Sequence, residues 1–407
     1  MASEPWHRGN PGLARLHAYP FQRLRRLLDG VTAPPGAAPV ALSIGEPQHP
    51  APACVAAALR EGIDTGLGRY PASAGEPELR AGIADWLAWR FNLDAGGIDP
   101  ARHILPAAGT REALFAVTQA LLEPTTRPAV VMPNPFYQIY EGAALLAGGE
   151  PHFIAADADG LPDLDAIAPS VWARCGLIYL CSPGNPTGKI LSQSFWERLF
   201  ALRDRHGFVI AADECYSELY RDEEAPPLGL LEACAVAGRS DYRGCLVFHS
   251  LSKRSNVPGL RSGFIAGDAD LIRPFAAYRT YQGCALGLHV QQASLAAWRD
   301  EAHVRANRAA YRAKFAAARR ILGGVADYDD PPAGFYIWLR VANGDDEAFT
   351  RALYAATGIS VLPGRYLSRS GPCGDPGAGH VRLALVAEQA ICEDALGRIR
   401  RFIEQRD

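Results

Sequence analysis

The chain carries almost all of its positive charge on arginine, and one of its few lysines lies where chemistry is expected. Lysine occurs only at Lys189, Lys253 and Lys314 among 41 lysines and arginines. Lys253 ends the run Leu246-Val-Phe-His-Ser-Leu-Ser-Lys253, an apolar, β-prone stretch that closes in small hydroxyl residues. Arginine keeps its charge at any working pH, whereas an amine can lose its proton and attack a carbonyl carbon. Lys253 is therefore a candidate nucleophile, and a surface lysine is the alternative interpretation.

Neighbouring apolar runs also end in polar residues. Asn185 follows one run within Ser-Pro-Gly-Asn185-Pro-Thr-Gly, and Asp213 and Tyr216 follow the next. Because ligands bind at the carboxyl ends of the strands in open α/β sheets, we expect these three side chains to converge on Lys253. Each residue alone also has a structural explanation, namely a turn for Asn185, a helix cap for Asp213 and a core position for Tyr216.

The elements that position these residues alternate between strand-like and helical patterns. Short apolar runs predict strands at 129–132, 176–181, 208–212, 245–248 and 263–266, and helical periodicity marks the intervening segments 112–122 and 193–205. This alternation is typical of an α/β fold with a mostly parallel central sheet sandwiched by helices.

The remainder of the chain predicts a second, smaller unit. Segment 287–322 is rich in Ala and Arg and predicts one long helix, and the patterns at 334–340, 346–356 and 380–385 predict strand, helix and strand. We expect an N-terminal arm (1–45) that packs with the small domain, a large domain (46–290) and a small C-terminal α/β domain (291–407). The 371–379 loop and the tail at 6–10 support no functional interpretation.

Composition excludes several classes of function. The formal net charge is -3, and no block of like charge indicates nucleic acid or an anionic membrane as a partner. The sequence contains no apolar stretch of membrane-spanning length and no signal peptide, so we expect a cytoplasmic protein. The nine cysteines are scattered without Cys-x-x-Cys pairs and are expected to be free thiols, and no metal site is predicted. A Gly-x-Ser-x-Gly nucleophile motif is also missing.

Together these motifs resemble those of the fold-type I, class I and II pyridoxal-phosphate aminotransferases, and the resemblance extends over essentially the whole chain. It is carried by Ser-Pro-Gly-Asn185-Pro-Thr-Gly, by Asp213-x-x-Tyr216 and by Ser-Leu-Ser-Lys253 with Arg261 eight residues later. The chain is also similar to one branch, the proteobacterial N-succinyldiaminopimelate aminotransferases. The motifs behind this similarity are Leu42-Ser-Ile-Gly45-Glu-Pro, Asn134-Pro-Phe-Tyr137-Gln-Ile-Tyr140-Glu-Gly, Ser-Lys253-Arg-Ser-Asn-Val-Pro-Gly-Leu-Arg261-Ser-Gly-Phe and Arg279-Thr-Tyr281-x-Gly-Cys.

The resemblance implies catalytic and ring-binding roles. Lys253 would bind pyridoxal 5'-phosphate covalently and, once released by substrate, move a proton between the substrate α-carbon and the cofactor. Asp213 would pair with the pyridinium nitrogen. Tyr216 and Asn185 would hydrogen-bond the 3'-oxygen of the ring. Tyr137 would stack on the ring face, with a core position as the alternative.

The resemblance also implies a phosphate site. Gly109, Thr110 and Arg111 form a glycine-containing turn that opens a helix, whose free N–H groups suit a phosphate. The hydroxyls of Ser250 and Ser252 and the guanidinium of Arg261 would complete that site. A structural ion pair is the alternative for Arg261.

Two further residues are assigned by the same resemblance. Tyr70 would reach the phosphate of the neighbouring subunit's cofactor, which implies a homodimer with shared active sites. Arg382 would hold the substrate α-carboxylate, together with Asn185 and the backbone near Gly45, and an inter-strand ion pair is its alternative.

The expected reaction is transamination between N-succinyl-2-L-amino-6-oxopimelate and glutamate, in which an amino donor and a keto-acid acceptor bind in turn. Another amino-acid aminotransferase of the aspartate, aromatic or alanine type is an alternative, as is a cofactor-dependent C–S lyase on the same scaffold. A regulator with a fused DNA-binding module is not favoured, because the segment before Leu42 is short and not strongly basic. For the distal carboxylates, spacing does not choose among Arg26, Arg69, Arg111 and Arg279.

Overall fold

A computed structural model describes residues 9–94, 96–283, 285–372 and 374–406. The start of the 6–10 tail and two cysteines, Cys284 and Cys373, lie outside these residues. The other seven cysteines are all free. Within the described ranges, no helix is long and apolar enough to cross a membrane.

Strands and helices alternate along most of the described chain. The strands are β1 (Val40–Ala41), β2 (Ile104–Ala107), β3 (Ala129–Pro133), β4 (Glu150–Ile154), β5 (Cys175–Cys181), β6 (Val209–Asp213), β7 (Cys245–Ser250), β8 (Gly263–Gly267), β9 (Asp327–Tyr328), β10 (Tyr336–Arg340), β11 (Ile359–Ser360), β12 (Leu362–Pro363) and β13 (His380–Ala384). The helices are α1 (Pro20–Leu27), α2 (Ala53–Gly66), α3 (Pro77–Arg90), α4 (Thr110–Leu121), α5 (Gln138–Leu146), α6 (Pro169–Trp172), α7 (Gln193–His206), α8 (Leu230–Val236), α9 (Leu251–Arg254), α10 (Ala269–Gln282), α11 (Leu288–Arg299), α12 (Ala302–Leu322), α13 (Asp346–Thr357) and α14 (Gln389–Glu404).

The larger sheet has seven strands in the order β2-β8-β7-β6-β5-β3-β4. The pairs from β7 through β6, β5 and β3 to β4 are parallel, and β8 runs antiparallel to both of its neighbours, β2 and β7. Helices cover both faces, and two separate clusters of buried side chains lie on opposite sides of the sheet. The predicted α/β architecture with a mostly parallel sheet is confirmed.

The smaller sheet is antiparallel, with strand order β12-β13-β10-β9, and packs with α12, α13 and α14 around its own buried cluster. Strand β1 pairs in parallel with β11, so the chain just before Leu42 joins this smaller unit. The boundary near residue 290 stays a prediction, since α11 spans it and packs against α2 and α3 of the larger unit.

The single long helix predicted over 287–322 is wrong, because the structure contains two helices, α11 and α12. The carboxylate of Asp300 accepts hydrogen bonds from the backbone N–H groups of Ala302 and His303, both at 3.2 Å. A side chain that accepts such bonds starts a new helix, which is why the helical pattern breaks there although the composition stays helical.

Candidate active site

The carboxyl ends of β5, β6 and β7 open into a cavity of about 530 Å³ between the two units. Twelve of the fourteen predicted site residues line it, namely Gly45, Thr110, Arg111, Tyr137, Asn185, Asp213, Tyr216, Ser250, Ser252, Lys253, Arg261 and Arg382. The other two, Gly109 and Tyr70, lie outside its lining. The parallel strands therefore gather the polar residues at one edge of the sheet, as expected for this topology.

Lys253 lies on the short helix α9, directly after β7. Ser250 begins that helix, and its hydroxyl accepts a hydrogen bond from the N–H of Ser252 at 3.1 Å. The Lys253 amine donates to the carbonyl oxygen of Gly45 at 2.5 Å and lies 5.3 Å from the ring centre of Phe335. Burial lowers the pKa of Lys253 to about 8, so a useful fraction of the amine is uncharged near neutral pH.

Asp213 ends β6 and is only 2% exposed. Its carboxylate accepts hydrogen bonds from the Tyr140 hydroxyl at 2.8 Å and from the N–H of Cys215 at 3.3 Å. Burial raises the pKa of Asp213, and the hydrogen bond from Tyr140 opposes that rise. A carboxylate offers about four acceptor sites, so these two neutral donors leave room for a protonated ring nitrogen.

Arg382, on β13, crosses from the smaller unit into the cavity. Its guanidinium donates to Asn185 Oδ1 and to the carbonyl oxygen of Ser43, both at 3.0 Å, and lies 4.3 Å from the ring centre of Tyr336. Within the described residues its Nε–H is buried and has no acceptor. The partners of Arg382 are therefore neutral, and its charge and remaining N–H groups are available to a carboxylate.

Two hydroxyl groups meet beside Asn185. The hydroxyls of Tyr216 and Tyr336 lie 3.1 Å apart, and either one donates to the other. Because the amide oxygen of Asn185 is used by Arg382, its NH₂ group remains a donor toward the cavity. Tyr216 and Asn185 can thus both donate to one oxygen of a bound ring.

The opening of α4 faces Arg261. Gly109 has φ 83° and ψ 159°, a conformation that essentially only glycine adopts, and a Cβ there would lie 2.5 Å from Arg261 Nη2. Arg261 donates to the backbone carbonyls of Pro258 at 2.8 Å and Ala108 at 3.3 Å. These partners leave its charge uncompensated, so the guanidinium and the free N–H groups of α4 suit a dianion.

Arg111 connects two tyrosines at the mouth of the cavity. Its Nε donates to the Tyr137 hydroxyl at 2.8 Å and its Nη2 to the Tyr19 hydroxyl at 3.2 Å. Burial raises the pKa of Tyr137, which keeps this hydroxyl neutral. The ring of Tyr137 packs edge-on against that of Tyr140, with 5.7 Å between the ring centres, and this contact helps to fix the position of Tyr137.

The structure separates the four arginines considered for the distal carboxylates. Arg279 is 1% exposed and donates to both oxygens of the partly exposed Glu112 at 2.6 Å, so it forms an ion pair within the protein rather than acting as a substrate ligand. Arg69 pairs with Glu76 on the surface at 3.0 Å. Arg26 does not line the cavity, which leaves Arg111 as the member of this set that does.

Three contributors to the site were not predicted from the sequence. Tyr140 holds Asp213, Tyr336 holds Tyr216, and Tyr19 holds Arg111. Tyr140 lies within a motif quoted for the family, yet its spacing does not indicate a contact with Asp213. Tyr336 and Tyr19 come from distant segments that only the folded chain brings to the cavity.

Comparison with known proteins defines the class to which this fold and site belong. Residues 38–399 match the family described as aminotransferase class I and II, and the chain belongs to that family. An LL-diaminopimelate aminotransferase from Nitratidesulfovibrio vulgaris is 32% identical over 397 residues, which cover 95% of this chain and 97% of that protein.

Solved structures agree with this assignment. An aminotransferase from Neisseria meningitidis is 49% identical, with a TM-score of 0.93, and the match covers 97% of this chain and all of that one. A probable N-succinyldiaminopimelate aminotransferase from Thermus thermophilus is 27% identical with a TM-score of 0.82, over 93% of this chain and 98% of that one.

Members of the family use pyridoxal 5'-phosphate and act on small amino and keto acids. The residues present fit that cofactor. A buried amine, an unfilled buried carboxylate and a helix start with an uncompensated guanidinium line one cavity, and a Cβ at Gly45 would lie 2.0 Å from the Tyr336 hydroxyl. The chain is therefore a pyridoxal-phosphate-dependent aminotransferase.

Proposed function

We propose that Lys253 is the residue that binds the cofactor and moves the proton during amino transfer. The observation that supports this most directly is the position of its amine, which is buried in the cavity, held by the Gly45 carbonyl and lowered in pKa to about 8. When bound, pyridoxal phosphate holds the amino group covalently and takes up the electron pair left when the α-carbon loses its proton. Lys253 would accept that proton from the α-carbon and deliver it to the C4′ carbon of the cofactor.

The other residues orient the cofactor ring and hold the substrate. Asp213 keeps the ring nitrogen protonated, and Tyr140 fixes the carboxylate for this task. Tyr216 and Asn185 donate to the ring oxygen. Arg382 holds the substrate α-carboxylate, which sets the α-carbon within reach of Lys253.

A second set of residues completes the proposed binding of the cofactor. Gly109, Thr110, Ser250, Ser252 and Arg261 hold the phosphate. Tyr137 covers the ring and excludes water, and Arg111 holds Tyr137 in place through its hydroxyl.

For the substrate, we propose N-succinyl-2-L-amino-6-oxopimelate and its amino form, with glutamate as the amino donor, in diaminopimelate and lysine biosynthesis. Succinylation replaces one ammonium of diaminopimelate by an amide and adds a carboxylate, so the substrate is more anionic. Among the positive groups of the cavity, Lys253 and Arg261 are assigned to the cofactor and Arg382 to the α-carboxylate. The charge of Arg111, whose side-chain partners are two neutral tyrosine hydroxyls, is therefore left to attract a further carboxylate. The names of relatives support a diaminopimelate-type substrate.

LL-diaminopimelate without the succinyl group is the second candidate, because several curated relatives are named LL-diaminopimelate aminotransferases, at 29 to 32% identity.

The two candidate substrates are distinguished by mixing the holoenzyme with N-succinyl-LL-diaminopimelate, LL-diaminopimelate or glutamate and following the cofactor absorbance. We expect glutamate and the succinylated donor to convert the cofactor to its amine form at least about 10-fold more efficiently than LL-diaminopimelate. The reverse order would establish the second candidate, and conversion by none of the three would refute the proposed function. With cystathionine as the substrate, release of ammonia and a keto acid in the absence of an added keto-acid acceptor would indicate a lyase.

We also propose a homodimer in which Tyr70 reaches the cofactor phosphate of the partner subunit. Tyr70 is 99% exposed in the single chain and lies outside its cavity, so its ring is accessible to a second subunit. Mixing the Lys253→Ala and Tyr70→Ala variants tests this, because a hybrid dimer contains one site with both native residues. We expect the mixture to recover activity that neither variant has, and a monomer in solution would refute the arrangement.

A further inference from the structure

A buried network of hydrogen-bonded polar groups lies behind Lys253 and begins at another of the three lysines. Lys314, on α12, is 1% exposed. Its amine contacts His49 Nε2 at 2.6 Å and donates to the carbonyl oxygen of Leu385 at 3.1 Å. A fully buried lysine is unusual, and this one is paired with an imidazole and a carbonyl rather than with a carboxylate.

The hydrogen bonds in this buried network have one consistent direction. The ammonium of Lys314 only donates, so His49 Nε2 accepts and Nδ1 carries the ring proton. His49 Nδ1 then donates to Asn307 Oδ1 at 2.9 Å, which also accepts from Asn256 Nδ2 at 2.9 Å. The amide nitrogen of Asn307 in turn donates to the carbonyl oxygens of Lys253 at 3.2 Å and Arg254 at 3.3 Å.

The same network is connected to the cavity at two further places. His49 belongs to the segment that begins at Gly45, whose carbonyl accepts from the Lys253 amine, and Glu46 of that segment lines the cavity. Leu385 directly follows β13, the strand that carries Arg382. Lys314 therefore contacts the residue after the strand that bears Arg382 directly. Through His49 it is linked to the segment over the Lys253 amine, and through His49 and Asn307 to the backbone of Lys253.

We propose that Lys314 is a positioning residue for the amine of Lys253. Its ammonium holds His49 in one tautomer, and His49 with Asn307 holds the segment containing Gly45 and Glu46 against the turn that bears Lys253. The inference depends on the proposed role of Lys253 and adds a residue that touches neither cofactor nor substrate.

The charges around Lys314 agree with this role. His49, Tyr311 on the same helix, and Glu388 and Cys392 at the start of α14 are the titratable groups that face it. Burial lowers the pKa of Lys314 to about 8, and burial with the neighbouring Lys314 charge lowers the pKa of His49. Near pH 7, Lys314 is therefore mostly protonated and His49 neutral, which are the states that the hydrogen bonds require.

The test is Lys314→Met in the holoenzyme, with Lys189→Met as the matched control. Lys189 is partly exposed, and its ion pair with Asp329, at 3.4 Å, joins an exposed carboxylate. The readouts are the pH midpoint of the visible absorbance of the Lys253-bound cofactor, kcat and KM for glutamate, and the midpoint of thermal unfolding. Because the Gly45 carbonyl and the Glu46 charge favour a protonated Lys253 nitrogen, we expect Lys314→Met to shift the absorbance midpoint down by about 0.5 pH unit or more. We also expect kcat to fall about 10-fold with a smaller change in KM, since Arg382 remains.

A purely structural role predicts a different result, in which unfolding occurs at a lower temperature and the absorbance midpoint and kcat keep their wild-type values. That result would overturn the proposal, as would an equal shift in Lys189→Met. If Lys314→Met does not fold, His49→Gln tests the proposal instead. The amide oxygen of the glutamine can still accept a hydrogen bond from Lys314, while the hydrogen bond to Asn307 is lost. An unshifted midpoint in His49→Gln would likewise overturn the proposal. A wild-type protein without a Lys253-bound cofactor band would refute the proposed function itself, and this inference with it.

Discussion

Replacing Gly109 by alanine tests the phosphate site through two separable effects. The first is on the backbone, because φ 83° with ψ 159° costs a residue with a Cβ about 1–3 kcal/mol of folding free energy. The second is on Arg261, because the new Cβ would lie 2.5 Å from its Nη2 and must displace the guanidinium. The displaced group would lose a charge-assisted hydrogen bond to the phosphate, which contributes about 1.5–3 kcal/mol.

The expected result is a cofactor dissociation constant raised about 10- to 150-fold, since each 1.4 kcal/mol corresponds to about a factor of ten. The assay is titration of the cofactor-free enzyme with pyridoxal 5'-phosphate and, separately, with pyridoxal, which lacks the phosphate. Gly207→Ala is the control, because Gly207 has φ 78° and nothing lies within 4 Å of a Cβ there. It should lower the free energy of unfolding by about 1–2 kcal/mol and leave cofactor binding unchanged.

The reasoning would be refuted by either of two results. Gly109→Ala could bind pyridoxal phosphate as tightly as the wild type while its free energy of unfolding falls as in Gly207→Ala. Alternatively, the affinity for pyridoxal could fall as much as that for pyridoxal phosphate. Either result would mean that Arg261 does not bind the phosphate.

Three further outcomes follow from the geometry. Arg279→Met leaves the partly buried carboxylate of Glu112 unpaired and should lower the free energy of unfolding by about 2 kcal/mol in urea titration, with substrate preference unchanged, whereas Arg69→Ala on the surface should have little effect. Arg382→Lys keeps the charge but loses two-point binding, so kcat/KM should fall about 10- to 150-fold for every amino donor alike. In the cofactor-free protein, the folded-state pKa of Lys253, about 8, lies below its ordinary value of 10.5, so the unfolded chain binds more protons between these pH values. The difference in free energy of unfolding between wild type and Lys253→Met should therefore rise with pH across that window, and a flat difference would contradict the lowered pKa.

The central strands could be predicted from the sequence because they are buried on both faces and read as continuous apolar runs. Strands β2 and β4 were missed for physical reasons. Strand β2 is four residues long and contains Pro106, and β4 is an edge strand whose Glu-Pro-His start is only partly buried. The break between α11 and α12 depends on one side chain, Asp300, that competes with the helix for backbone N–H groups.

For the site, residues attached to strand ends were predictable, because parallel topology brings those ends together whatever the loops do. Residues that act through other side chains were not. Tyr336 and Tyr19 reach the cavity from the smaller unit and from the segment before α1, across contacts that no local pattern encodes. Arg279 shows the converse, because a motif match made it a candidate while its contact with Glu112 is visible only in the fold.

The antiparallel position of β8 between β2 and β7 also sets an order of events during protein synthesis. Gly109 lies two residues after β2 and Arg261 precedes β8, so they meet only after the long stretch between them has left the ribosome. Contacts between such distant positions form late in folding. Tyr336 and Arg382 are translated later still, with the smaller unit. The residues proposed to hold the cofactor, from Tyr70 to Arg261, are thus all translated before Arg382, the arginine proposed to hold the substrate α-carboxylate.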